Sequence, residues 1–257
     1  QDSSSLGLSR NADNVKQGSG LGLVGNKTGL GFLSHVSIVL DANNESILGF
    51  CDVQLWHRKE DKSNNTTRVY KSEAIESKES YKWIKASKQA KDTLSSASHL
   101  TIIQDREGDI YEQFALIPDD KTSLIIRSRD NRRLADGNKL YAVLEAAPVL
   151  GTYTIDIQGD IRKNQVQRKV ELEAKCMPVT LQRDGVSQGI SDQLNLYAVE
   201  VREKGNTTRS AICWRLLTNM PVHTFEDALH IVGRYGQRWY IEQLFRLLKK
   251  QGYQIEN

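Results

Sequence analysis

Three carboxylates stand where phosphate chemistry could be done: Asp2 in QDSSS, Asp105 at the end of LTIIQD, and Glu242 in RYGQRWYIEQLFRLLKK. The last is surrounded by cations. On a helix through residues 234–250, Tyr235, Arg238, Glu242, Arg246 and Lys249 fall within an arc of about 80° and run about 20 Å along it. Carboxylates gathered from distant parts of a chain repel one another and hold protons unless a cation lies between them. A pair of Mg²⁺ ions about 3.5–4 Å apart removes that conflict. It also supplies phosphodiester chemistry, one ion activating the attacking oxygen and the other stabilising the leaving oxygen. Glu242 then reads as a metal ligand, with the tyrosine and the cations gripping phosphates on either side. Taken singly, each acid also reads as an ordinary strand-end or surface carboxylate, and each basic stretch as a solvated face.

These residues need elements to position them. SHVSIVLDANNESILGFCDVQLW reads as two β-rich runs around the turn signal Asp41-Ala-Asn-Asn44, a hairpin. Asp41 also ends an apolar run and is a rival acid, but its context is that of the turn. A polar stretch containing Asn64–Thr67 follows. KESYKWIKASKQAKDTLSSA then predicts a helix with Tyr81, Ile84 and Leu94 inward. HLTIIQD and TSLIIRSRD are short apolar runs that suit buried strands, with a helical DIYEQFALI between them. An acid at the C-terminal end of a buried strand, as Asp105 is, stands at the open edge of a sheet, where α/β proteins collect ligands. Residues 1–133 therefore predict the first part of an α/β core. Residues 134–220 carry β-formers in GTYTIDIQG, NQVQRKVELEA, QLNLYAVEVRE and AICWRLLTN, an antiparallel insertion. Residues 221–257 return to helix, opening on a capping box from Thr224 to Asp227 and closing at Gly252.

Composition bounds the function. The chain has 257 residues, 39% apolar and 26% charged, enough to bury a core. No apolar run approaches a membrane span and no signal-peptide pattern opens the sequence. Cys51, Cys176 and Cys213 stand far apart, which suits neither a zinc site nor a disulfide framework. The cytoplasm is the expected compartment. A net charge of +3 is too mild to imply nucleic acid, but its distribution is uneven. Arg127, Arg129, Arg132 and Arg133 crowd into RSRDNRR, and residues 234–250 carry Arg234, Arg238, Arg246, Lys249 and Lys250 against Glu242 alone. Local basic stripes on a near-neutral protein point to phosphate contacts at defined places.

Here the chain resembles a family, the bacterial insertion-sequence DDE transposases of the IS-four group. DREGDIYEQF resembles their D-R-E-A-D-I-Y/H signature, with Gly108 where alanine is usual. The last helix matches their Y-x2-R-x3-E-x6-K signature at Tyr235, Arg238, Glu242 and Lys249, and QDSSSL resembles the D-T-T/S motif of the first acid. The resemblance implies a ribonuclease-H-like mixed sheet flanked by helices and interrupted by an antiparallel β insertion. It implies a catalytic triad of Asp2, Asp105 and Glu242 holding two Mg²⁺ or Mn²⁺ ions for cut-and-paste transposition, through a hairpin intermediate. Tyr235, Arg238 and Lys249 would contact transposon-end phosphates, with Arg246 as a further helix cation and Arg127 near the active-site DNA. Arg106 and Glu107 belong to the signature, and Trp214 falls on a tryptophan that stacks on a flipped base. A flat indole offered to an unstacked base is physically sensible, although a Trp in a β section is also a core residue.

The partners implied are double-stranded DNA, both transposon ends and target, and a second copy of the chain on that DNA. No membrane is involved, and the protein would associate with the nucleoid when bound. The chain opens one residue before Asp2, so the strand presenting this acid is expected to be largely missing, with the flanking recognition and dimerisation regions. Two other readings stay open. One is a ribonuclease-H-like nuclease without transposition, and the other a decayed or domesticated copy that only binds DNA.

Overall fold

The computed structural model describes residues 1–8, 20–24, 29–57, 74–157, 166–183, 189–206, 208 and 211–251. The polar stretch around Asn64–Thr67 and the expected helix stop at Gly252 lie outside them. The fold is α/β, and it divides into two compact units, Gln1–Ile102 with Gln237–Asn257, and Ile103–Gly236. Neither boundary falls at the residue 133 or 220 that composition suggested.

The first unit is built on an antiparallel sheet whose centre is β3 (Gly29–Leu40), paired with β1 (Asp2–Gly7), β2 (Gly22–Val24) and β4 (Ile47–Trp56). The expected hairpin is β3–β4. Asp41 serves its turn, the side chain accepting from the Asn43 N–H at 2.7 Å and the backbone N–H donating to the Ser46 carbonyl at 2.9 Å. The strand bearing Asp2 is present, but it follows the acid instead of leading up to it. Six residues from Asp2 to Gly7 pair with Gly31–Val36, because QDSSSLG finds a complementary edge on β3.

Helix α1 (Tyr81–Thr93) buries Trp83, Ile84, Ala86, Ser87 and Ala90. This stripe at helical spacing makes Ile84 the inward residue and leaves Tyr81 and Leu94 half-buried at its margins. Helix α5 (Trp239–Arg246) buries Ile241 and Phe245, which pack with Leu244 and Leu248 on Val36 and Ile38 of β3. Beside that cluster, β4 carries a bulge at Cys51, the residue skipped between the pairs Ser37↔Asp52 and Ile38↔Phe50. Leu48 is likewise skipped, between Val39↔Gly49 and Leu40↔Ile47, and Ile47, Phe50, Val53 and Leu55 are each more than half exposed.

The second unit carries a six-stranded sheet in the order β5 (Leu100–Gln104), β6 (Thr122–Arg127), β10 (Cys213–Thr218), β9 (Gln193–Glu203), β8 (Arg168–Gln182), β7 (Gly151–Ile157). β7 to β10 are the strands of the expected insertion, joined antiparallel. They do not form a separate body. β10 pairs directly with β6, Leu216 opposite Arg127, so the insertion extends one sheet. Its first residues are also not β. Leu140–Ala146 forms a short helix, α3, because Leu140 and Leu144, four apart, are both fully buried. A small helix, α2 (Tyr111–Leu116), buries Tyr111 and Phe114.

Helix α4 (Phe225–Gly236) opens on the expected capping box. The Asp227 N–H donates to Thr224 Oγ1 at 3.1 Å, and the Thr224 N–H returns to Asp227 at 3.0 Å. Val222 before it and its Ala228, Ile231, Val232 and Tyr235 complete a core with Ile125, Val170, Leu172, Val199, Val201 and Leu216 of the sheet.

The single helix expected over 234–250 is interrupted. α4 ends at Gly236, α5 starts at Trp239, and the turn between them is closed by i→i+3 bonds from Tyr240 to Gln237 and from Ile241 to Arg238. Glycine is about 1 kcal/mol less favourable than alanine in a helix interior, and α4 ends at Gly236. Beyond α5 the chain widens into one π-helical turn, Leu247–Gln251, where Leu247 points outward instead of joining the apolar face.

Candidate functional site

In the first unit, Asp2 and Glu242 meet at one guanidinium. Arg238 Nη1 lies 3.3 Å from Asp2 Oδ2, and Nη2 donates to Glu242 Oε1. Arg238 and Glu242 are one helical turn apart, i and i+4, so α5 presents them together. β1 delivers Asp2 through its register with β3, Asp2 opposite Val36, on the strand against which α5 packs. The arginine side chain is 14% exposed, the Asp2 side chain 23% and the Glu242 side chain 35%. A cation thus already lies between two carboxylates that stand far apart in sequence.

Behind Asp2 the strand is pinned. The Asp2 carboxylate accepts the Ser3 N–H at 2.8 Å, and Ser3 Oγ shares a 2.8 Å hydrogen bond with His35 Nδ1 on its cross-strand partner. His35 is fully buried, edge-on to Trp83 with ring centroids 4.5 Å apart. Burial, aided by the charge of Lys82, pushes its imidazole down to about 2, so the ring is neutral. No spacing rule singled this histidine out; its only signal in the sequence was a polar residue inside the apolar run SHVSIVL.

In the second unit, Asp105 follows the last residue of β5 and holds an extended conformation at the start of a short 3-10 turn, Arg106–Gly108. Tyr235 Oη donates to its Oδ1 at 3.0 Å. The Tyr235 ring is buried, and Trp214 packs on it edge to face, centroids 5.3 Å apart and planes at 70°. Acid, phenol and indole, from three remote segments, therefore form one contact chain. Trp214 is half-buried against the core, so its indole has a packing role.

The remaining expected cations divide. Arg127 is half-buried and donates to the Cys213 carbonyl at 3.4 Å. Arg246 is exposed, its guanidinium over the Trp239 ring at 5.4 Å. Lys249 lies half-buried in the π-helical turn. Arg132 is committed to structure. Its Nε and Nη2 clasp Asp109 Oδ1 at 2.9 and 2.6 Å, and Nη2 also meets the Asp109 carbonyl. The other oxygen of Asp109 accepts the Arg129 N–H at 2.8 Å.

Asp109, whose side chain is completely buried, is thus the anchor of the arginine loop. It is a further acid of the DREGDIYEQF signature whose importance its spacing did not reveal. Gly108 beside it is tightly placed. A methyl there would stand 2.7 Å from Gln104 Cβ and 2.4 Å from its Oε1, so glycine at this position matches the bulk of Gln104.

The donor chemistry available is hard oxygen: Asp2 and Glu242 in one unit, Asp105 in the other, none accompanied by a thiolate or imidazole ligand. Such donors suit Mg²⁺ or Mn²⁺. Among the described residues, no three His, Cys, Asp or Glu side chains are grouped closely enough to hold a metal ion. No helix among them is long and apolar enough to cross a membrane. No protein-family model matches the chain.

Proposed function

We propose that this chain is the catalytic core of a DDE transposase of ribonuclease-H-like fold, cutting and joining phosphodiester bonds at the ends of a mobile DNA element. One observation carries the reading. The first two members of the Y-x2-R-x3-E-x6-K stripe each engage an acid from elsewhere in the chain, Tyr235 with Asp105 and Arg238 with Asp2 as well as Glu242. Surface residues of a solvated helix face have no reason to select those acids.

In this reading, which follows the family resemblance, Asp2, Asp105 and Glu242 would hold Mg²⁺ or Mn²⁺, and the ions would supply an activated oxygen nucleophile and neutralise the leaving oxygen. The chain's own groups do the positioning. Ser3 and the neutral His35 fix the strand that carries Asp2. Tyr235 orients the Asp105 carboxylate through its hydroxyl. Arg246, exposed beside Trp239, offers a guanidinium to a phosphate and a flat ring to a base or sugar. DNA gripped through phosphates is positioned without being read, so end selection belongs to other regions, and a second copy of the chain would supply the other end.

Trp214 favours a second reading, a nuclease of the same fold that does not pass through a hairpin. Its ring is held edge to face on Tyr235, which accounts for the indole without a flipped base.

The test is nicking of supercoiled plasmid with Mg²⁺ or Mn²⁺. Glu242→Gln and Asp105→Asn should each lower the rate about a hundredfold to a thousandfold, the scale of losing an essential electrostatic group. Nicking that survives both substitutions removes these acids from the mechanism. A product hairpin on an end-containing duplex separates transposase from plain nuclease.

A further inference from the structure

We infer that Arg238 is a resident counter-ion of the Asp2–Glu242 pair, which a divalent cation must displace and which displacement turns toward a phosphate. The inference rests on the metal-ligand reading of those two acids.

The geometry leads there directly. One guanidinium spans both carboxylates, Nη1 to Asp2 and Nη2 to Glu242, and it is the most buried of the three side chains. Two carboxylates held this close repel, and a cation between them lowers that repulsion. A guanidinium and a hard divalent ion want the same oxygens, so they compete. Arginine cannot leave by losing its proton; it has to swing away on its side chain. Its charge then needs a new partner, and a DNA phosphate is the group it fits best, through the same planar fork. Metal loading and DNA contact at α5 are therefore positively coupled. The ion releases the arginine, and a phosphate that holds the arginine favours the ion, a reciprocity any such linkage must obey.

The signature of this device is opposite signs on two bindings. In Arg238→Gln the site loses its internal competitor, so Mn²⁺, followed by the electron paramagnetic resonance of the free ion, should bind about fivefold to tenfold more tightly, the scale of one partly exposed charge pair. Binding of the same variant to a duplex oligonucleotide should weaken, and the salt slope should fall by about one. Adding the duplex to the wild type should tighten Mn²⁺, and in Arg238→Gln it should do so less. Arg238→Lys, which keeps the charge but cannot span both acids, should fall between.

Unchanged or weaker Mn²⁺ binding in Arg238→Gln, with circular dichroism matching the wild type, overturns the counter-ion role while leaving the metal site standing. Glu242→Gln tells the two failures apart, because wild-type Mn²⁺ binding that survives this substitution means the ion is held elsewhere. A wild type that binds no Mn²⁺ overturns both.

Discussion

At the scale of single residues, the polar groups that matter most are buried behind the acids. His35 shows how such a group makes stability depend on pH. In the unfolded chain its imidazole takes a proton below the ordinary 6.5, whereas in the fold burial holds it neutral down to about 2. The unfolded state thus binds more protons between those values, and stability is complete above 6.5 and lost as the pH falls, with a slope approaching about 1.4 kcal/mol per pH unit. Urea midpoints measured from pH 8 to pH 5 should fall accordingly, and His35→Gln should flatten the fall. A wild-type midpoint that does not change over this range would show that the ring is solvated. Glu203 acts further down the scale. Its hydrogen bonds from Arg168, Asn206 and the Ile212 N–H hold its carboxyl at about 2, so its contribution is present above the ordinary 4.5 and fades toward 2.

Among the elements, the capping box is a local device with a measurable share. Thr224→Ala removes the oxygen that accepts the Asp227 N–H and should cost about 1 kcal/mol, read from chemical denaturation; a loss below a few tenths would mean the first turn of α4 is held by packing alone. That box was legible because S/T-x-x-D before an apolar run is a local code. The β3–β4 hairpin and the buried strands at 100–104 and 122–127 were legible for the same reason, since alternation and turn residues act over a few positions. α3 was not, because seven residues give under two turns and leave no period to detect. The break at Gly236 was hidden by an apolar stripe that continues through it, Tyr235 serving α4 and Ile241 serving α5. Spacing selected Tyr235 and Arg238 as neighbours on one face. Their contacts with Asp105 and Asp2 depend on where β5 and β1 are delivered, and on that, helical spacing is silent.

For the whole molecule, the basic residues sort into those that hold the fold and those that can meet a polyanion. Arg132 belongs to the first set, clasping the buried Asp109, and Arg246 to the second. Arg246→Ala should leave the denaturation midpoint within about 0.5 kcal/mol of wild type and lower the salt slope of binding to random duplex by about one. Arg132→Ala should do the reverse in stability, costing about 3 kcal/mol because a buried carboxylate loses its partner. A salt slope unchanged in Arg246→Ala would place that cation outside the DNA path. The contrast explains why a net charge of +3 says little about binding. The arginine cluster at 127–133 looks like a phosphate site in sequence, yet Arg132 is neutralised from within and Arg129 is paired with Asp130 at 3.0 Å.

The bulge on β4 has a consequence for how this strand tolerates changes in length. A strand assigns its residues to two faces by parity, and Cys51 is one of two that are not counted, the other being Leu48. Up to Asp52 the even positions Trp56, Gln54 and Asp52 share the side of β3 that carries His35 and Ser37, with Val53 and Leu55 on the other; past Cys51 the assignment inverts, and Phe50 joins Val53 and Leu55. Removing this single residue would close that bulge and leave Phe50 on the side of Val53 and Leu55. Drawing it into the ladder opposite Ile38 would instead send Phe50 to the side on which Gln54 reaches the Lys82 carbonyl of α1. Cys51, a free cysteine, is thus a frame-setting residue: the strand keeps its faces without it, but not with it drawn into the ladder.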